Sequence, residues 1–446
     1  MNARKHAPRR SLRQRPVGRQ SGQALVIALG LLLAGGAMLH AMFSAGQVAA
    51  AKQRLTDTAD AAAWSAGAWR ARVLNYHAYS NRAILANEVA IAQAVTLVSW
   101  ARYFESLARN ATLLAPLLPP AEPVLAGVAQ AATLARESAE LAAQMEITAR
   151  GAETLGYKSI LQASQEILHL STQGFGVNMV AAEVARATDP SFFAWVLPDA
   201  GRPWQQFSRR AESLDDRRAF ADLVLGSLDR FVAGPRSEDI RTPIPSPCLN
   251  LMRLRKRGAT TLSDGLDRWQ SVDTMSFHLR TLRGLRCRET ESLPIGWGAA
   301  EAGEAWRAVV GSAGEIDLNP QANALAAATM PSFPAYSGIE PTRELDHAAL
   351  GHARFPTAGL AVVARQPGGA VATSLSRGLA AGRMLPPDAF AGSSRLWALA
   401  ASEVYFRRPA GAPPRVEYAS LFNPYWQVRL VAPTDAQRAT AMAYVR

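Results

Sequence analysis

"GQALVIALGLLLAGG", residues Gly22–Gly36, stands directly behind a run of arginines and carries no charged side chain. Its apolar character continues through Met38, Leu39, Met42 and Phe43, and from Ala24 to Ala45 the one titratable group is His40. A helix needs about 20 such residues to cross the hydrocarbon core of a bilayer, whereas the apolar part of a cleaved signal usually runs to about 7–15. "HAMFSAGQ" offers no small-x-small cleavage site, because Phe43 lies two residues before Ala45, where a small residue is needed. Residues 21–46 are therefore expected to be a retained transmembrane anchor. The alternative is a cleaved signal that releases an exported binding protein.

Arg4, Lys5, Arg9, Arg10, Arg13, Arg15 and Arg19 precede the span with no acid among them, so most of the formal net charge of +12 belongs to residues 1–20. Arginine on this side of the span and none within it places the basic tail in the cytoplasm and the bulk across the membrane. A basic arm that abuts an apolar run is a topology signal, so no nucleic-acid partner is expected. With 49% hydrophobic and 19% charged residues in 446, the remainder can bury a sizeable core and is neither disordered nor polytopic. Gly30, Ala34, Gly35, Gly36 and Ala37 leave two readings open: close approach of a second helix, hence self-association, or ordinary glycine usage in a span.

No proline occurs from Val17 to Ala115, alanine dominates, and Ala62, Trp69, Val73, Tyr76, Ile84, Val95 and Val98 recur at helical spacing. Residues 47–112 read as a pilin-like stalk helix, with a break near Gly67 or Asn75. "LLAPLLPPAEP" (Leu113–Pro123) ends it, since proline cannot continue a helix interior. Residues 113–235 form a helical region of two or three further helices, interrupted at Gly151 and at Gly174–Gly176 and packing back as a bundle. "SRRAESLDDRRAFADLVLGSLDRFVAG" adds one more helix that closes at Gly234–Pro235.

After "RTPIPSPCLN" the pattern changes to short alternating runs among frequent prolines and glycines. "PYWQVRLV" puts Trp426, Val428 and Leu430 on one face of a strand. "GLAVVARQ" and "EVYFRR" are further strands, and "SFHLRTLRGLRCRE" fits strand or helix. Residues 236–446 are expected to be an α+β or mainly β domain, irregular around 312–345 and 408–415. The fold class is α+β: one transmembrane helix continuing into a long helix and helical bundle, then a β-containing C-terminal domain.

"GQALVIALGLLL" followed by "AKQRLTDTADAAAWSAGAW" resembles the N-terminal domain of TadG-like proteins of the Tad/Flp pilus-assembly system. The matching positions are Gly22, Gln23, Ala24, Leu25 and Val26, then Arg54, Leu55, Ala59, Asp60, Ala61, Ala62 and Ala63. The match covers roughly residues 19–70, with both halves in order. It implies a single-pass inner-membrane protein whose partners are other pilus or secretion assembly proteins. Two departures stand out. Ile27 occupies the place where processed prepilins carry glutamate, so that processing is not expected. The Asp-x-Ser-x-Ser metal motif of some TadG-like proteins does not occur, which leaves metal-dependent adhesion without support.

Motifs for bond chemistry are lacking: there is no GxSxG, GxxxxGK, HExxH or post-strand GxGxxG. His347 and His352 lie near Glu344 and Asp346, but their i, i+5 spacing does not share a helical face. That segment reads as polar surface, and no metal or other cofactor is expected. Asn75, His77, Asn81, Arg82, Asn87 and Glu88 load a helix with polarity that implies pairing with a neighbouring element, or else a docking face. Arg253–Gly258 and Arg280, Arg283, Arg286 and Arg288 are basic clusters beside the two cysteines, Cys248 and Cys287. In the cytosol these would be free thiols; outside it they could pair in a disulfide worth about 4 kcal/mol by chain entropy. The expected function is a non-catalytic assembly role. A membrane-tethered enzyme acting on envelope polymers is the rival, to be recognised by acids clustered in a cleft, whereas exposed apolar patches favour assembly.

Overall fold

Helix α1 runs unbroken from Gln23 to Thr112, 90 residues. At 1.5 Å per residue that is about 135 Å of continuous helix. The structure is a computed structural model that describes residues 23–445 apart from 114–115, 117–118, 153–155, 199–203, 235, 242–251, 284–285, 304–317, 341, 368–369, 372–394 and 410–415. The basic tail, Gly22 and Cys248 lie outside the described residues, as do parts of the two stretches expected to be irregular.

After α1 come α2 (Glu122–Gly151), α3 (Tyr157–Ser171), α4 (Gly174–Thr188), strand β1 (Phe193–Val196), β2 (Ser208–Arg210), α5 (Leu214–Ser227) and α6 (Arg230–Ala233). Then follow β3 (Glu238–Arg241), β4 (Met252–Leu262), β5 (Trp269–Arg283), β6 (Arg286–Ala302), α7 (Pro320–Ala328), β7 (Ser332–Phe333), β8 (Arg343–Leu345), β9 (Ala358–Pro367), β10 (Arg395–Phe406), β11 (Trp426–Val431) and α8 (Asp435–Val445). The fold is α+β, and α2, α3 and α4 break where the glycines and prolines punctuate the sequence.

Two sheets lie on α1. A four-stranded antiparallel sheet has the order β1-β9-β10-β11, and a five-stranded sheet the order β3-β4-β5-β6-β7, with the β6–β7 pair parallel. The ambiguous "SFHLRTLRGLRCRE" is the closing end of the β5–β6 hairpin, whose register runs from Trp269 opposite Ala302 to Arg283 opposite Arg286. In the edge strand β11, Trp426 is buried but Leu430 is 47% exposed, because an edge strand has cover on one flank only.

The helix beyond the span is not a bare stalk; it is the common core of the whole body. Leu55, Ala59, Ala62, Ala63 and Ala66 pack with Val177, Ala181 and Ala185 of α4 and with Leu360, Val362, Ala398 and Ala400 of β9 and β10. Leu74 joins Trp204, Phe207, Val404, Phe406 and Trp426. Ile84, Ile91, Val95 and Val98 join Ile147 of α2, Phe220 and Val224 of α5, and Trp269 and Ala300 of the five-stranded sheet. Helices α2, α3 and α4 pack mainly along α1 and little against one another, so the expected bundle is a row of helices laid on one long helix.

Neither expected break occurs. A Cβ on Gly67 would sit 2.6 Å from Val428 Cγ2 and 2.7 Å from Ser402 Oγ, so this glycine serves the close approach of α1 to β10 and β11. Asn75 stays helical because its side chain bonds the sheet: Nδ2 donates to Trp426 O at 3.0 Å, and Trp426 N donates to Oδ1 at 3.0 Å. The helix predicted over residues 208–234 is divided instead. Ser208–Arg210 pairs with Arg343–Leu345 as a strand. Ser213 and Asp216 form a capping box that starts α5, and Asp229 accepts hydrogen bonds from the N–H groups of Phe231 and Val232 to begin a separate turn.

Candidate interaction site

From Gln23 to Phe43, α1 presents large apolar side chains to its surroundings, Leu25, Leu32 and Leu39 each being at least 70% exposed. None of its most apolar stretch is buried, and the helix is long and apolar enough to cross a membrane. The residues behind the family resemblance fall into two groups. Gln23, Ala24, Leu25 and Val26 open the bare segment. Leu55, Ala59, Ala62 and Ala63 lie in the core, where alanine lets α1 approach α4 and the sheet. Ala61 is exposed, and Asp60 is partly buried with its carboxyl pushed up by desolvation and by Asp57 one turn before it.

Asn81, Arg82, Asn87 and Glu88 of α1 bond to other elements of the body. Asn81 Nδ2 donates to Arg343 O and to Leu421 O, both at 2.8 Å, and its Oδ1 accepts from Gln165 Nε2 at 2.7 Å. Arg82 donates to Asn423 Oδ1 at 2.6 Å, and Arg150 donates to Asn87 Oδ1 at 2.7 Å. Glu88 is fully buried, accepting from the Tyr336 hydroxyl at 2.7 Å and Trp269 Nε1 at 3.4 Å, with Lys158 Nζ 3.7 Å away. Burial raises its carboxyl, while Lys158 and the two donors hold the shift in check. Lys158 also donates to Gly338 O at 2.6 Å, so the cluster ties α1, α3 and the segment after β7 together. In the same way Asp273 of β5 takes Arg236 in a two-pronged contact at 2.8 and 3.0 Å and Ser99 Oγ of α1 at 2.9 Å.

Lys158, Asp273 and Tyr336 do not stand out in the sequence. The one usable signal was a lysine set in the apolar run "GYKSIL". His77 is another buried group: neither ring nitrogen has a hydrogen-bond partner, and burial together with Arg343 pushes it down to about 3.

Arg253, Arg255 and Arg257 of the first basic cluster and Arg280 of the second meet acids within the five-stranded sheet. Arg255 lies 2.7 Å and Arg253 3.3 Å from Glu289, Arg257 lies 2.7 Å from Asp239, and Arg280 is 3.7 Å from Glu289. Cys287 is disulfide-bonded, which brings no free thiol to this face. His347 and His352 sit in turns after β8, and among the described residues no group of three or more metal-ligating side chains converges.

Two concavities among the described residues bear on this question. One of about 200 Å3 lies between α1 and the strand β9, lined by Arg70, Trp204, Phe207, Leu360 and Gln437, and no carboxylate is among its described lining residues. The other, about 540 Å3, is a shallow apolar groove between α1, α2 and α6, lined by Ala94, Leu97, Ala143, Met145 and Phe231 with Glu146 and Asp229 at its rim. Large apolar side chains are also exposed on α2 (Leu134, Leu141), on α3 (Ile160, Ile167, Leu170) and at the start of α4 (Phe175, 80% exposed). Exposed apolar side chains, where they form one patch, mark surfaces that meet a partner.

These features define a class: an α+β body built around a single helix whose bare apolar head projects from it. Comparison with protein-family models, with characterised proteins and with solved structures finds no match for the chain.

Proposed function

We propose that this chain is a membrane-anchored, non-catalytic assembly component of a Tad/Flp-type pilus or secretion apparatus, with its N-terminus in the cytoplasm and its body in the periplasm. The observation that carries the reading is the continuity of α1. One helix supplies a bare apolar head and then the core of the body, with no linker between them. Any displacement of the body therefore acts on the anchor directly, as a positional role requires. The TadG-like residues Gly22–Val26 and Arg54–Ala63 support the same reading from the sequence. The exposed apolar faces of α2 and α3 suit docking to other assembly proteins, and the buried carboxylates Glu88 and Asp273 are held by internal partners rather than offered to a cleft.

The test is fractionation of cells carrying a C-terminally tagged copy, with intact mass and protease access to the tag in spheroplasts. Full-length, membrane-bound protein with a protease-sensitive tag is expected. A shortened soluble product, or a tag protected in spheroplasts, would overturn the reading.

A further inference from the structure

The first charged side chain after Arg19, His40 aside, is Lys52. From Gln23 to Lys52 the helix rises about 44 Å at 1.5 Å per residue, which equals the ~40–45 Å thickness of a bilayer with its headgroups. Lys52 therefore falls at the outer headgroup surface, and what it touches falls there too. Its Nζ donates to Trp397 O and lies 5.4 Å from the centre of the Trp397 ring. Trp397 is in register with Arg365 of β9, and Arg365 with Phe193 of β1. Residues in register across adjacent strands share a face, so Trp397, Arg365 and Phe193 form one row across the end of the four-stranded sheet.

This row lies on the face of the sheet away from α1. Ala194, Ala364 and Ala398, each one residue along, pack with α1 and α4. Further along the same outer face, Leu197, Ala361, Val363 and Ala401 are covered by Ala441 of α8. The row near Lys52 extends past that cover, and Phe193 is 48% exposed. Arg365 spreads its guanidinium 5.5 Å over Phe193 and 5.6 Å over Trp195. Arg54 is exposed half a turn beyond Lys52, with Asp189 at the end of α4 as its nearby acid and Asp57 the next acid along α1. Aromatic rings with adjacent Lys and Arg are the composition of a membrane–water interface.

We propose that the membrane-proximal end of the four-stranded sheet, through Lys52, Arg54, Phe193, Arg365 and Trp397, rests on the headgroups of the membrane that α1 crosses and binds anionic lipid there. This surface rests on the reading of the N-terminal helix as a span. Two contacts, the helix and the sheet end, fix the tilt of the body over the bilayer, which a lone helix cannot do. Each basic residue near an anionic surface is worth about fivefold in partitioning.

The test places benzoyl-phenylalanine at position 193 of the full-length chain. The protein is reconstituted into nanodiscs of phosphatidylcholine alone or mixed with phosphatidylglycerol, and lipid adducts are counted after illumination. Position 231 serves as the distant control. Adducts at 193 but not at 231, several-fold more frequent with phosphatidylglycerol and lost in Lys52→Glu/Arg365→Glu, are expected. Arg54→Glu, which alters an exposed side chain outside the core, reads out the same loss if the double variant does not fold. Equal yields at the two positions, or no dependence on anionic lipid, would overturn the surface while leaving the anchor standing. A chain that fails to enter the discs would overturn both.

Discussion

Gly298 of β6 leaves no room for a side chain against α1, and substituting it by alanine is a direct test of the packing. A Cβ there would lie 2.2 Å from Ser99 O, 2.3 Å from Tyr103 N and 2.9 Å from the carbonyl carbon of Arg102. All three are backbone atoms of α1, so no side chain can swing aside. Restoring ordinary contact requires the helix and strand to part by about 1 Å, since carbon atoms settle roughly 3.5–4.0 Å apart. The same interface holds the Ser99–Asp273 hydrogen bond and the buried row from Ile91 to Val98. Overpacking of this kind costs about 1–3 kcal/mol, and backbone on both sides puts Gly298→Ala at the upper end. Spread over the roughly 400 residues of the body at about 2.1 cal/mol/K per residue, 3 kcal/mol lowers the melting midpoint by about 4 °C. The assay is thermal unfolding of the full chain in nanodiscs. The comparison is Gly127→Ala in α2, where nothing lies within 4 Å and the gain in helix propensity of about 0.8–1 kcal/mol should raise the midpoint slightly. A Gly298→Ala variant that melts with the wild type would refute the close approach of α1 to β6.

Two further perturbations address the buried charges. Lys158→Met leaves Glu88 buried without its cation and is expected to cost about 3–5 kcal/mol, part of which Glu88→Gln added to it should recover; strictly additive losses in denaturant melts would show that the two do not act as a pair. His77 has a folded-state value of about 3 against 6.5 unfolded, so between those values the unfolded chain binds the extra proton. Its contribution is present above pH 6.5 and is lost as the pH falls, about 2 kcal/mol by pH 5. The raised carboxylates Glu88 and Asp273 act in the opposite direction. The measurement is therefore the difference between wild type and His77→Leu, whose pH profile should be flatter below 6.5; identical profiles would count against burial of a neutral His77.

The sequence by itself determined the local features. A charge-free apolar run behind arginines, the lack of proline from Val17 to Ala115 and the proline cluster after Leu113 set the head, continuity and end of α1, because each acts through the backbone of its own segment. Strands β9 and β11 and the last residues of β10 were legible for the same reason, since alternation is local. What α1 packs against was not legible. A run of alanines fits a solvated stalk or a close-packed core equally well, and only the arrival of β6, β10 and β11 at Gly298, Gly67 and Asn75 decides between them. The expected breaks at Gly67 and Asn75 failed on this point: residues that weaken an isolated helix are there to receive a strand. The ionic clusters also belong to tertiary structure. Glu88, Lys158 and Tyr336 are far apart in the chain and become one group only when α3 and the segment after β7 close over α1. The row of Trp397, Arg365 and Phe193 comes from three strands whose order is set by long-range pairing, so its place beside Lys52 exists only in the folded molecule.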